Sequence, residues 1–166
     1  MEKSGVVSAY MEILPSAVSA IESDFKTLFD TNIFSFLAGM LLKDSATNVS
    51  KLKIISILTH LISSSKKNKS VASKVFLQNE NLVRFKNFLS ECGGARFLHI
   101  DYELQLNVVE FMYRIIPKSR KSVAQTFLYY GGVQELFVNL CSDGFQSKIM
   151  EVVNLYNEES KLYSVL

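Results

Sequence analysis

Lys69-Ser70-Val71-Ala72 recurs fifty-two positions later as Lys121-Ser122-Val123-Ala124. At the same spacing Leu52 matches Leu104, Lys66 matches Lys118, Phe85 matches Phe137, Asn87 matches Asn139 and Ser90 matches Ser142. Ile54 with Leu106 and Ile57 with Val109 keep apolar character. Apolar residues recur three and four apart through the chain and no β-type alternation is sustained, so the sequence reads as all-α. Self-similarity carried on helices is the mark of a solenoid, whose repeats cannot bury their apolar faces alone and therefore stack. A binding or scaffolding module is the leading class.

The spacing predicts helices near 5–13, 16–29, 33–43, 48–63, 69–78, 80–91, 102–116, 119–130, 132–141 and 145–157. The repeat copies span about 48–91 and 101–142, with a further helix to 157, inside one domain covering 1–166. A chain of 166 residues buries roughly two thirds of its unfolded surface and needs no disulfide or metal to fold. Pro15 suits the first turn of a helix and Pro117 a helix end, because proline lacks the amide that an interior bond requires. The stretch Glu91 to Asp101, with Gly93 and Gly94, is the longest predicted loop and a hinge candidate. Ser63 to Asn68 is a polar break between helices. Ile33 to Leu42, free of charge, is half a membrane span in length and reads as a buried helix.

Composition excludes several function classes. The 18 basic and 16 acidic side chains leave a net charge of +2, too weak a field to argue for direct nucleic-acid binding or an anionic membrane. Cys92 and Cys141 are the only cysteines and the N-terminus does not resemble a secretory signal, which points to a reducing intracellular setting. The glycosylation patterns at Asn48 and Asn68 are then coincidental. Both cysteines end second helices of the repeat copies and read as small apolar packing residues.

Chemistry-bearing groups are sparse. His60 and His99 are the only histidines; Cys92 beside His99 is the one nucleophile and base pair available. Four Cys and His residues lack the close spacing of a zinc site, and no phosphate loop or metalloprotease helix occurs. No cofactor, metal or catalytic residue is expected. Asp101 reads as an N-cap, with Glu103 favoured by the helix dipole.

Recognition is the better reading. Lys66, Lys67 and Lys69 cluster at one corner of the repeat, and Lys118, Arg120 and Lys121 at the same corner of the next. Stacking would align them as one ridge able to hold an acidic segment; the alternative is that they solvate helix ends and complement C-terminal dipoles.

Thr126 to Phe137, with Gly131 and Gly132 between two apolar runs, resembles the junction between the first and second helices of armadillo repeats. Glycine takes the left-handed conformation at a helix end cheaply. In that scheme Lys118 to Tyr130 is a first helix, Val133 to Cys141 a second, and Phe145 to Asn157 a third entered through Asp143 and Gly144. Peptide-reading armadillo proteins such as importin alpha use third-helix asparagines with tryptophans between them. Here the matching positions are His60, Arg114 and Asn154; only Asn154 fits, and the chain has no tryptophan, which argues against a nuclear-import receptor. Arg114 either pairs with a carboxylate of its own repeat or reaches for a partner.

Asp101-Tyr102-Glu103-Leu104-Gln105, then Val109-Glu110, Phe145 and Val153-Asn154, resembles the armadillo-like N-terminal domain of the synaptonemal complex protein 2 family, over about 95–166. The resemblance implies a nonenzymatic interaction platform of the meiotic chromosome axis, with axis or centromere proteins as partners and a nuclear, chromosomal location. Outside that family, a cytoplasmic armadillo or HEAT adaptor is the alternative. A further alternative is a structural module that self-assembles through apolar end helices near Phe34, Phe36 or Tyr156.

Overall fold

In the computed structural model, residues 31–43, 45–92, 101–117 and 121–163 are described. The helices predicted at 5–13 and 16–29, Pro15, and the loop with Gly93 and Gly94 lie outside them. Every regular element among the described residues is helical: α1 (Thr31–Leu41), α2 (Asn48–Ser64), α3 (Lys66–Phe76), α4 (Asn79–Cys92), α5 (Tyr102–Ile115), α6 (Lys121–Phe127), α7 (Gly131–Val138) and α8 (Phe145–Tyr163). The chain packs as two compact units, residues 1–75 and 76–166.

In the first unit α1 packs on α2. Phe34, Leu37, Ala38 and Leu41 follow the 3-4 rhythm of a helix face and are buried. Ile33 and Phe36 on the other side of α1 are exposed, so Ile33 to Leu42 is amphipathic rather than buried all round. Helix α2 carries Ile54, Ile55 and Ile57, β-branched residues that lose side-chain freedom in a helix. It forms because these residues are buried together with Leu58, Leu61 and Ile62, and packing outweighs propensity. Thr47 caps its start by accepting from the Ser50 amide at 3.2 Å.

A single residue, Ser65, separates α2 from α3. Its hydroxyl accepts from the Asn68 amide at 3.3 Å, an N-cap bond. The Asn68 side chain donates back to the Leu61 carbonyl at 3.2 Å, satisfying one of the last carbonyls of α2. Asn68 is fully buried, in keeping with its reading as a coincidental glycosylation pattern.

The second unit is built around aromatic contacts. Phe76 meets Phe111 edge-on with ring centroids 5.0 Å apart, and Phe85 at 5.6 Å. Tyr113 packs against Phe137 and Phe145 while its hydroxyl donates to the Leu140 carbonyl at 3.0 Å. Helix α5 lies against α4 and α8, α4 against α6, and α7 against α6 and α8. Between α5 and α8, Gln105 and Asn157 exchange two side-chain hydrogen bonds of 2.9 Å each, both residues being buried. Asp101 caps α5 as the sequence predicts, accepting from the Leu104 amide at 3.1 Å. Pro117 follows the helix end, and α8 begins after Gly144, whose φ of 66° is left-handed.

Two predicted details change. Helix α6 ends at Phe127 rather than Tyr130, and Gly131 and Gly132 open α7 with ordinary φ instead of forming a left-handed cap. The freed carbonyls of Leu128 and Tyr129 are met by the Gln134 side chain, at 2.7 and 3.4 Å, so no left-handed turn is needed there. A Cβ at Gly132 would meet Leu155 Cδ2 of α8 at 3.7 Å, an ordinary contact, and one at Gly131 would meet nothing within 4 Å, so close packing does not require glycine at either position.

The second correction is to register. At a spacing of fifty-two, Ala72 and Ala124 are both buried, as are Phe85 and Phe137. On the first helix of each copy that spacing runs out of phase, since buried Ile54 falls on half-buried Leu106. A spacing of fifty-four places Gln105, Val108, Val109, Phe111, Met112 and Ile115 of α5 on Lys51, Ile54, Ile55, Ile57, Leu58 and Leu61 of α2, all of them buried. The second copy is two residues shorter between its first and second helices. Internal repetition is thus visible in burial as well as in residue identity.

The amide pair gives a stability test. Gln105→Leu or Asn157→Leu alone strands a buried amide and is expected to cost about 1–3 kcal/mol in urea unfolding. The double Leu variant is expected to lose less than the sum of the singles. Additive losses would mean that the two amides are not coupled.

Candidate functional site

The predicted recognition residues separate into three groups. Lys66, Lys67 and Lys69 are all exposed and occupy the first turn of α3. Lys118 and Arg120 lie outside the described residues, and of Lys121 only its backbone, opening α6, is described. His60 and Arg114 share one register position at the fifty-four spacing, on α2 and α5; Asn154 lies on the exposed side of α8.

Arg114 resolves to the first of its two readings. Its Nε and Nη2 donate to Glu110 Oε1 at 2.9 and 2.7 Å, one turn earlier on the same helix. The guanidinium carbon also stands 5.7 Å from the Phe145 ring centroid, within range of cation–π attraction. Asn154 accepts from the Tyr102 hydroxyl at 2.9 Å. Both side chains are therefore engaged inside the second unit. His60 is exposed.

The lysine cluster opens α3 two residues after the last residue of α2. Its three cations sit where the macrodipole of α3 is positive, with no acidic residue in that turn, an unfavourable placement. At the preceding end of α2 the carbonyl of Leu61, one of its last four, is taken by Ser64 Oγ and Asn68 Nδ2. Neutral side chains do the capping, and the lysines are left to solvent.

Cys141 also departs from its reading as a packing residue. It is exposed, beyond the end of α7. The Lys148 ammonium donates to its sulfur at 2.6 Å; that bond, before any other influence, holds the thiol below its ordinary pKa and raises that of Lys148. Sequence gave no sign of it, because the two residues are seven apart and joined by a turn at Gly144. Cys92 closes α4, and its side chain and the whole of His99 lie outside the described residues, as does any convergence of the two.

Exposed aromatic surface was also hidden in the sequence. Tyr129 is 64% exposed, with Lys86 Nζ 4.5 Å from its ring centroid, and it leads through Tyr130 to Tyr156 by two edge-on contacts of 5.4 Å. Phe34 and Tyr156, predicted as exposed ends, are instead buried; Phe36 is 59% exposed. A shallow cleft of about 290 Å³ is lined by Gln125, Gly131, Gln134, Glu135, Val138 and Asn139, and none of the predicted site residues lines it. Among the described residues no three His, Cys, Asp or Glu side chains gather as a metal site needs, and no helix is long and apolar enough to cross a membrane.

No protein family, curated protein or solved structure matches the chain.

Two measurements follow from this geometry. Changing Lys66, Lys67 and Lys69 to Glu is expected to stabilise the fold by about 0.3–1 kcal/mol per position at low salt, fading as salt rises, because carboxylates suit a helix N-terminus; loss of stability would show that the lysines support the fold. The pH midpoint for alkylation of Cys141 is expected below that of an ordinary cysteine, since the thiolate is the reactive form. Lys148→Met should move that midpoint upward, and an unchanged midpoint would remove the ammonium as its cause.

Proposed function

We propose that the chain is a nonenzymatic, armadillo-like right-handed α-solenoid that presents a surface to another protein. The observation that carries this reading is the burial register: α2 and α5 repeat at fifty-four, and α3 with α6 and α4 with α7 share buried positions at fifty-two, with exposed polar residues also matched there, as at Ser70 and Ser122 or Asn87 and Asn139. Repeats of this kind fold by sharing faces with their neighbours and are used as binding platforms. The resemblance over 95–166 to the synaptonemal complex protein 2 family supplies the narrower form of the proposal, an axis component at meiotic chromosomes whose partners are axis or centromere proteins. The candidate contacts are Lys66, Lys67, Lys69, Lys118, Arg120 and Lys121, with His60. Arg114 and Asn154 contribute only if a partner displaces Glu110 or Tyr102, which makes them the weaker members.

A second reading, a self-assembling structural module, draws on one observation. Ile33, Phe36 and Met40 recur at helical spacing on α1, and the first two are exposed. Such an apolar stripe suits a second copy of the chain.

Affinity capture with the tagged chain from germline and somatic extracts, side by side, tests the first reading. Chromosome-axis or centromere proteins retained only from germline are the expected outcome; an unrelated partner common to both extracts would keep the platform and discard the meiotic role. Light scattering at two concentrations separates self-assembly. A monomer at both is expected, and a mass that rises with concentration and is lost in Phe36→Ser would favour the second reading.

A further inference from the structure

The distribution of charge is far more uneven than the net charge of +2 suggests. From Ser45 to Asn79 the chain contains six lysines, at 51, 53, 66, 67, 69 and 74, one histidine and neither Asp nor Glu. The other 12 basic residues are outnumbered by all 16 acidic ones, so the rest of the chain is net −4. This acid-free stretch is the whole of α2 and α3 with their flanks. Lys53, Lys66, Lys67, Lys69 and Lys74 are exposed, and the exposed residues among them include Ser56, His60, Ser63, Ser64 and Ser70. No carboxylate of the stretch itself is available to neutralise them, and three of the five stand at a helix end whose dipole adds to their field.

We propose that the exposed side of α2 and α3 is the docking surface for an acidic peptide segment, rich in Asp and Glu, of a partner protein. The inference rests on the interaction-platform reading and narrows it to Lys53, Lys66, Lys67, Lys69 and Lys74. Charge complementarity defines the occupant. A 17-residue helix such as α2 is about 25 Å long, which an extended chain covers in about seven residues. A peptide of that length stays within the cationic stretch. A nucleic-acid duplex is long and stiff and would extend beyond a stretch of that length. The surface is also poor in what single strands use: α2 has no Phe, Tyr or Trp, the one aromatic ring of α3, Phe76, is buried, and the imidazole of His60 is the one exposed ring, short of the succession of stacking platforms that a single strand follows. Lysine without arginine favours diffuse carboxylate attraction over bidentate readout of bases.

The test is fluorescence anisotropy of a labelled heptaglutamate peptide titrated with the full chain, at roughly 0.05 M and 0.5 M salt. Saturable binding at low salt that is lost at high salt is expected, with no response from a Gly-Ser peptide of the same length. Changing Lys66, Lys67 and Lys69 to Glu should weaken binding by about tenfold or more without lowering the unfolding midpoint, and the same lysines changed to Gln should weaken it less. Reversing Lys118, Arg120 and Lys121 instead should weaken binding less, since the proposed surface is confined to α2 and α3. Absence of salt-sensitive peptide binding, equal loss from both triple reversals, or tighter binding of a short DNA duplex than of the peptide would each overturn the proposal. A protein partner from affinity capture that binds the Lys66, Lys67, Lys69 reversal as well as the unaltered chain would also overturn it, while leaving the interaction platform standing.

Discussion

The second unit depends on the reciprocal amide pair of Gln105 and Asn157. Two neutral amides facing each other satisfy a donor and an acceptor on both sides, so burial costs little as long as both are present. Any slide of α8 along α5 breaks both bonds at once and leaves three buried polar atoms without a partner, while Gln105 Nε2 keeps only its longer bond to the Leu89 carbonyl, at 3.4 Å. Val108, Met112, Val152 and Val153 of the same two helices are buried but apolar, and make no directional bond that fixes the axial position of one helix on another. The pair therefore sets the register, and the aromatic contacts of Phe111, Tyr113 and Phe137 fill space around a geometry already chosen. Tyr102 donating to Asn154 repeats the link one turn away.

Legibility in the sequence followed the strength of local signals. The all-helical class, the cap at Asp101, the helix end before Pro117 and the start of α8 after Gly144 were readable because each rests on a residue type with one dominant local preference. The junction at Gly131 and Gly132 was misread because glycine serves two ends: permissive φ and absence of a side chain. Here neither use is called on, since both glycines have ordinary φ and room for a Cβ, and the carbonyls after the preceding helix are met by Gln134, a residue with no local signature. The repeat spacing on the first helices was misplaced for a related reason. Identity between Leu52 and Leu104 outweighed the phase of burial, which only three-dimensional packing displays.

Candidate site residues divide in the same way. Exposure of Lys66, Lys67 and Lys69 was legible from charge, but their position at the start of α3 was not, since the sequence places that helix at Lys69 and the structure begins it at Lys66. Arg114 was read with two outcomes open, and the i to i+4 relation to Glu110 settles it by the commonest helical pairing. Cys141 was misread because cysteine in general prefers the interior; α7 ends at Val138, three residues before the predicted end at Cys141, and leaves the thiol exposed beyond it.

Ser65 links two helices by itself, accepting from Asn68 while the Asn68 side chain closes the end of α2. With no slack residue on either side, the angle at this corner is fixed by bond geometry and two hydrogen bonds rather than by a loop that relaxes. Over evolutionary time such a corner should resist insertion and deletion, because one added residue would rotate every following side chain of α3 by about 100° about its axis, given 3.6 residues per turn. Lengthening of the chain among relatives should then accumulate elsewhere, and the α2–α3 corner should keep its length even where its residues change.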